Sequence, residues 1–221
     1  GSIVKKCTVC GHTASSTIKY AKTFTLSTTS YTYDGKVKTP TVTVKDSAGK
    51  TLKKNTDYTV SYAKGRKNVG TYKVTIKLKG NYSGTKTLNF KINPAKTAVS
   101  KLTASKNSIK VNVTKKSTQV TGYQIQYSTS KKFTGAKTIT SYKTTSVTLK
   151  NLKVKKLYYI RVRTYKTVNG KKYYVVDGND ALVACFEDHI SEDLIREIAS
   201  HKPMCAVFKD SSVAEAKDKV N

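Results

Sequence analysis

Apolar residues recur at every second position through most of the chain between residues 24 and 162. In the first half, the alternating sets are Val42/Val44, Tyr58/Val60/Tyr62, Tyr72/Val74/Ile76/Leu78 and Leu88/Phe90/Ile92. Turn-forming pairs such as Asp34-Gly35 and Ala48-Gly49 separate these sets. A period of two, repeated this often, predicts antiparallel strands that are each buried on one face.

A second series of alternating residues follows the Asn93-Pro94 pair. Its members are Ile109/Val111/Val113, Tyr123/Ile125/Tyr127 and Tyr158/Ile160/Val162. The pattern predicts two antiparallel β-sandwiches joined by a linker at about residues 93–97. We expect one core to contain Tyr72, Val74, Ile76, Phe90 and Ile92, and a separate core to contain Ile125, Tyr158, Ile160 and Val162.

The formal net charge of +29 is unevenly distributed along the chain. Residues 1–95 hold 18 Lys and Arg against 3 acids, and residues 96–177 hold 19 against 1. In contrast, residues 178–221 hold 5 against 9. This sharp change predicts that the C-terminal piece has a different origin from the two sandwiches.

The lysine excess supports two interpretations. It can attract polyanions such as wall teichoic acids, acidic glycans or nucleic acid. However, Lys73, Lys77, Lys79 and Lys91 alternate with core residues. They are therefore expected on outward strand faces, where they would also keep a secreted module soluble. Because arginine, which reads phosphates and bases bidentately, is scarce, we expect anionic glycans or cell-wall polymers as partners rather than specific nucleic acid.

The sequence gives little support for catalysis or for a cofactor. It contains three histidines (His12, His189 and His201), none in a recognisable motif with Ser or Cys. General acid–base catalysis by paired carboxylates is excluded from the sandwiches, because the first 176 residues hold only three acids. We therefore expect a protein that is not an enzyme and binds no cofactor. No apolar window is long enough to span a membrane.

The best local motif is Cys7-Thr8-Val9-Cys10-Gly11-His12. Two thiolates at this spacing can bind one zinc ion, but a structural site needs four ligands. Since only His12 lies nearby, Cys7 and Cys10 are predicted to form a half-site that does not hold zinc tightly. The alternative states are free thiols or a local disulfide.

Longer motifs support a family resemblance for most of the chain. Residues 24–93, with "SYTYDGKVKTPTVTVKDSAGKTLKKNTDYTVSY" and "NVGTYKVTIKLKGNYSGT", resemble a Firmicutes-type bacterial Ig-like repeat of cell-surface and secreted proteins. Residues 96–174, with "VTGYQIQYSTSKKF" and "LKVKKLYYIRVRTYKTVNGKKYY", resemble a fibronectin type III module. The resemblance implies an extracellular or cell-surface location. It also implies that Tyr158 is the tyrosine-corner residue, whose hydroxyl ties its strand to the preceding loop.

The C-terminal segment has a strand–helix–strand pattern. Apolar runs at Ala181–Phe186 and Met204–Phe208 flank a helix predicted to start after the N-cap residue Ser191. The segment resembles the C-terminal part of the DNA-methylating subunit of type III restriction–modification systems, but no Asp-Pro-Pro-Tyr-like or Phe-x-Gly-x-Gly motif is present. The last strand of the second sandwich is predicted to be short, at Tyr173 to Val176, so that a strand of this segment can add to the open edge.

These inferences predict a mainly β chain: two tandem Ig-like/fibronectin type III-like sandwiches and a small C-terminal strand–helix–strand segment. The predicted divisions are a cysteine knuckle remnant (1–20), an Ig-like sandwich (21–95), a fibronectin type III-like sandwich (96–177) and an α/β segment (178–221). The favoured function is a non-catalytic spacer, adhesion or glycan-binding and wall-binding module. The alternatives are a basic DNA-associated fragment without methyltransferase activity and a fusion with a functionless tail.

Overall fold

A computed structural model describes residues 2–17, 19–105, 107–153, 156–175 and 182–184. Every regular element in this part of the chain is a β-strand, and the strands form two compact units divided between Ile92 and Asn93. The short segment 32–34 groups with the second unit. The predicted mainly β fold with two antiparallel sandwiches is confirmed. The helix predicted after Ser191 and the strand predicted at Met204–Phe208 lie outside the described residues.

The first unit begins with an antiparallel hairpin and continues with two sheets. The hairpin consists of β1 (Ser2–Lys6) and β2 (Thr13–Thr17). One sheet pairs β3 (Ala21–Leu26) with β5 (Val42–Asp46). The other has the order β4 (Ser30–Thr32), β8 (Thr85–Asn93), β7 (Gly70–Leu78) and β6 (Tyr58–Tyr62).

The core of the first sandwich follows the predicted alternation. Val74, Ile76, Phe90 and Ile92 are fully buried, as predicted. Tyr72, which was predicted to join them, is only half-buried: it is the third residue of β7, near the beginning of the strand, and its ring packs beside Phe90 with 5.7 Å between the ring centroids. Lys73 and Lys77 alternate with these residues and are exposed, as are Lys79 and Lys91. The outward placement of these lysines is therefore confirmed.

Polar groups inside the first sandwich are paired with backbone atoms. The Asp46 side chain is buried, and its Oδ1 accepts hydrogen bonds of 2.9 Å from the N–H groups of Ala48 and Lys50. The buried Tyr58 hydroxyl donates to the carbonyl of Val42 at 3.0 Å. The Tyr62 hydroxyl donates to the carbonyl of Pro40 at 2.8 Å. These bonds satisfy buried polar groups that would otherwise oppose folding.

The second unit also consists of two antiparallel sheets. One has the order β13 (Ser146–Leu149), β10 (Ser108–Val113) and β9 (Val99–Ser105). The other has the order β12 (Lys137–Tyr142), β11 (Gly122–Ser128), β14 (Tyr158–Val168) and β15 (Lys171–Tyr174).

The second sandwich has the core that the sequence predicts. Ile125, Tyr158, Ile160 and Val162 belong to one buried cluster, which contains residues of both sheets. Its other members are Val99, Leu102, Ile109, Val111, Val113, Tyr123, Leu149 and Leu152. Because inward and outward positions alternate along each strand, the same register places the intervening residues of β11 and β14 on the outer surface of their sheet.

The free side of β14 is covered by two separate strands. β15 pairs with Tyr165–Val168, whereas a further strand, β16 (Leu182–Ala184), pairs antiparallel with Tyr158–Ile160. Four residues of β14 (161–164) separate the two ladders, whereas seven residues (175–181) separate the two strands in the chain. A strand from the C-terminal segment therefore adds to the sheet, within the first apolar run identified in that segment.

No helix in the described part of the chain has the length and hydropathy that would allow it to cross a membrane.

Candidate functional site

The cysteine motif forms the turn of the N-terminal hairpin. The Cys7 N–H donates to the carbonyl of His12 at 2.7 Å, and the Gly11 N–H donates to the carbonyl of Cys7 at 3.0 Å. Gly11 has a φ of 71°, a left-handed conformation that glycine adopts without strain. Both thiols are free and exposed, and the Cys10 N–H points at the Cys7 Sγ from 3.4 Å.

Hydrogen bonding changes the acidity of the Cys7 thiol. Bonds from the Cys10 backbone, the Cys10 side chain and the Val9 backbone favour the thiolate and lower the pKa of Cys7. A thiolate is the form that binds metals and reacts with electrophiles. Within the described residues, no group of three or more His, Cys, Asp or Glu side chains is placed to hold a metal ion. That Cys7 and Cys10 hold no zinc tightly stays a prediction.

Tyr158 lies at the start of β14 with its ring in the core. Its hydroxyl accepts a hydrogen bond of 2.9 Å from the backbone N–H of Lys153, in the loop that precedes the strand. The contact joins the strand to its own entry loop over five residues of sequence. Its assignment as a tyrosine corner stays a prediction of the resemblance.

The most elaborate polar arrangement lies on the outer surface of the β12–β11–β14–β15 sheet. We call it the arginine face; its residues are Gln124, Gln126, Phe133, Thr138, Thr140, Arg161, Arg163, Tyr165 and Tyr174. Cross-strand register places Gln124 opposite both Thr140 and Arg163. It places Gln126 opposite both Thr138 and Arg161. Two parallel polar rows therefore cross three strands.

Hydrogen bonds connect each row from end to end. The Nε–H of Arg161 donates to the Gln126 Oε1 at 2.7 Å, and the Gln126 Nε2 donates to the Thr138 hydroxyl at 3.1 Å. The second row repeats this pattern: the Arg163 Nε–H donates to the Gln124 Oε1 at 2.7 Å. The Gln124 Nε2 then donates to the Thr140 hydroxyl at 3.3 Å. These bonds fix the orientation of both amides and both guanidiniums.

Aromatic rings support both guanidiniums from one side. The central carbon of Arg161 lies 4.2 Å from the centroid of the Phe133 ring. That of Arg163 lies 4.1 Å from the centroid of the Tyr174 ring. Stacking of this kind stabilises a guanidinium by cation–π attraction and holds its plane. Both arginines are half-buried, so their edges remain accessible to solvent.

Tyr165 forms the floor of the same face beside the second row. Its side chain is buried and lies over Gly122, where an added Cβ would meet the Tyr165 Cε1 and hydroxyl at 2.8 Å. Burial raises the pKa of the Tyr165 phenol, and the neighbouring Tyr142 and Tyr174 raise it further. The Lys172 ammonium lies 5.3 Å from the Tyr165 ring centroid. Gly122 is therefore required for this ring position.

The arginine face was not identified from the sequence, although the signal was present. Gln124/Gln126, Thr138/Thr140 and Arg161/Arg163 are polar pairs with the same period of two as the core residues. Their register across strands could not be derived from the sequence, because it depends on how β11 pairs with β12 and β14. Arginine is indeed scarce in the chain, but two of its four arginines lie side by side here.

Comparisons with known proteins find a family match for the second sandwich. The family model of the fibronectin type III domain matches residues 93–174. Similar solved structures include the fibronectin type III domain of human collagen alpha-1(XX) chain, 17% identical over 43% of this chain and 90% of that chain, with a TM-score of 0.29. A two-domain fibronectin type III segment from chicken tenascin is 15% identical over 72% of this chain and 99% of that chain, with a TM-score of 0.41. No curated protein matches the chain. The match to the fibronectin type III family is thus confined to residues 93–174, the second sandwich.

Proposed function

We propose that this chain is a non-catalytic structural and binding part of a bacterial surface or secreted protein, and that it holds anionic glycans or cell-wall polymers. Fibronectin type III domains are generally structural or binding modules and are common in extracellular and surface proteins. The bacterial context rests on the resemblance of residues 24–93 to a bacterial Ig-like repeat.

One observation carries the binding function: positive charge in the sandwiches has almost no internal counter-charge. No Asp or Glu occurs between Asp57 and Asp177, and both strands and loops of this stretch carry lysine. The carboxylates of Asp46 and Asp57 accept backbone N–H bonds, the latter from Lys53 at 2.7 Å. A surface with such an excess attracts polyanions and raises their local concentration.

We further propose that the bound polymer is not degraded. Residues 58–176 contain no Asp, Glu, His or Cys, so the carboxylate, imidazole and thiol groups that often serve as general acids, general bases or nucleophiles are absent from that stretch. The alternative of a DNA-associated fragment rests on the C-terminal resemblance, which falls almost entirely outside the described residues.

The test is binding of the full chain to polygalacturonate, an anionic polysaccharide, with dextran as the neutral control. We expect binding to polygalacturonate that weakens as NaCl is raised, since salt screens exposed charges. We expect no binding to dextran and no change in polymer length after incubation. Equal binding to both polymers, or none to polygalacturonate at low salt, would contradict the proposed function; shortening of the polymer would contradict its non-catalytic part.

A further inference from the structure

We infer that the arginine face is the contact surface for a polyuronate, a polysaccharide that carries carboxylates, and that Arg161 and Arg163 each pair with one of its carboxylates. The inference rests on the proposed function and adds to it a place on the molecule and a ligand class. It is carried by the arrangement of the two guanidiniums rather than by the overall lysine excess.

Both guanidiniums are held in place, and among the described residues no carboxylate is shown paired with them. Their Nε–H groups bond to glutamine oxygens and their planes stack on Phe133 and Tyr174. The described residues between 93 and 184 include no Asp or Glu that could occupy their Nη edges. An ordered guanidinium loses little conformational entropy when it binds, and its planar fork matches a planar carboxylate through two parallel hydrogen bonds.

The spacing of the two arginines suits a repeating ligand. They are two residues apart on β14 and on the same face, so their Cα atoms are separated by about 6.6 Å along the strand. The hydroxyls of Thr138 and Thr140 accept hydrogen bonds from glutamine at the far end of each row and are exposed. A hydroxyl that accepts can also donate, so each row offers a sugar hydroxyl a partner beside the carboxylate site.

The same geometry disfavours nucleic acid as the occupant. Single-stranded nucleic acid binds by stacking its bases on free aromatic rings. Here Arg161 stacks on Phe133, Arg163 stacks on Tyr174, and Tyr165 is only 4% exposed. Phosphate sites commonly use free backbone N–H groups at helix N-termini or in loop nests. On the central strands of this sheet those groups are engaged in the ladders with neighbouring strands.

The decisive variant combines Arg161→Lys with Arg163→Lys in the full chain. It keeps both positive charges and removes the two parallel N–H donors that each guanidinium offers to a carboxylate. The matched control is Lys101→Arg combined with Lys110→Arg, two exposed residues of β9 and β10 in the opposite sheet. With polygalacturonate as the probe, we expect the first variant to bind at least about tenfold more weakly, since charge-assisted bidentate hydrogen bonds are lost. The control should bind within about twofold of the wild type.

A second measurement does not depend on the stability of the variant. The chain has four arginines, so the Nε–H signals of Arg161 and Arg163 can be followed by NMR on the wild type, with Arg66 as an internal reference. We expect trigalacturonic acid to shift the signals of Arg161 and Arg163 and not that of Arg66.

The outcomes separate this inference from the proposed function. If the wild type binds polygalacturonate but the lysine variant binds equally well, or the two signals do not shift, the site is wrong and the proposed function stands. If the wild type binds single-stranded DNA or poly(glycerol phosphate) more tightly than polygalacturonate, the ligand class is wrong. If it binds none of these polyanions, both proposals fail.

Discussion

Both sandwiches consist of two β-sheets, but they differ in the polar side chains that form their hydrogen bonds. In the first, the buried carboxylate of Asp46 accepts two backbone N–H bonds and fixes the turn after β5. In the second, the described residues between 93 and 184 include no carboxylate, and the side-chain hydrogen bonds on the outer surface of the sheet join glutamine, threonine and arginine across strands. Neither sandwich has enough acids to balance its lysines, since residues 1–95 hold 18 Lys and Arg against 3 acids and residues 96–177 hold 19 against 1. This excess of positive charge is the basis of the proposed binding of polyanions.

The two sandwiches resemble each other more closely in their use of tyrosine. Each has a buried tyrosine whose hydroxyl meets a backbone atom: Tyr58 donates to the carbonyl of Val42, and Tyr158 accepts from the N–H of Lys153. Each also has a strand glycine beside a tyrosine side chain, Gly70 beside Tyr72 and Gly122 beside Tyr165. These pairs allow the same substitution to be compared in both sandwiches.

The largest difference is expected between the two glycines. An alanine Cβ at position 122 would clash with the backbone carbonyl oxygen of Ser141 and with the buried Tyr165 ring, so Gly122→Ala should lower the free energy of unfolding by about 1–3 kcal/mol. At Gly70 the nearest atoms belong to the Tyr72 side chain, the closest at 3.2 Å, and that half-buried ring can move. Gly70→Ala should stay within about 1 kcal/mol of the wild type. Urea unfolding of both variants tests this, and equal losses would contradict it.

A smaller effect is expected when the tyrosine hydroxyls are removed. Tyr58→Phe leaves the carbonyl of Val42 without this donor, and Tyr158→Phe leaves the N–H of Lys153 without this acceptor. Each substitution should cost about 0.5–1.5 kcal/mol, the usual net value of one hydrogen bond. Hydrogen exchange would distinguish Tyr158→Phe, since the Lys153 amide should lose protection in that variant and keep it in Tyr58→Phe. Unchanged exchange at Lys153 would show that the hydroxyl does not anchor the loop.

The N-terminal hairpin differs from both sandwiches because its described side chains are exposed. There we expect an effect on the reactivity of the Cys7 thiol and not on the free energy of unfolding. Because hydrogen bonds lower the pKa of Cys7, its alkylation by iodoacetamide should rise with pH at a lower midpoint than in a denatured chain. Above that midpoint the thiolate predominates, and below it the thiol does. Mass spectrometry of tryptic peptides measures the rate at Cys7 across the pH range. The same midpoint in urea and in buffer would show that the hairpin bonds do not hold in solution.

The sequence predicted the cores well, because burial on one face of a strand enforces strict alternation. Val74, Ile76, Phe90 and Ile92 in one sandwich, and Ile125, Tyr158, Ile160 and Val162 in the other, are all buried. Tyr72 was the exception. A residue near either end of a strand can lie on the core side of the sheet and still be only partly buried, because fewer neighbouring residues cover it. The alternation along a strand shows which face of the sheet a side chain lies on. It does not show how completely neighbouring residues bury that side chain.

The arginine face could not be predicted in the same way. Outward positions were interpreted only as solvated lysine, because alternation gives the same pattern for a solvated face and for an ordered polar network. The rows depend on the register of three strands that are separated in the sequence, with Gln126 and Arg161 thirty-five residues apart. Beside the rows, the missing side chain of Gly122 leaves space for the Tyr165 ring. The cysteine motif, by contrast, is local in the sequence, and backbone hydrogen bonds between Cys7, Gly11 and His12 close its turn.

The division of the last strand into β15 and β16 bears on how this chain can be shortened. The family match ends at residue 174, but the sheet continues to Ala184 through its ladder with Tyr158–Ile160. A version trimmed to the family boundary would leave the outer backbone groups of those three residues without their native partners. Unpaired strand backbone is a template for association with another molecule. Expression of the second sandwich as a monomer should therefore succeed more readily with an endpoint beyond Ala184 than with one at Tyr174.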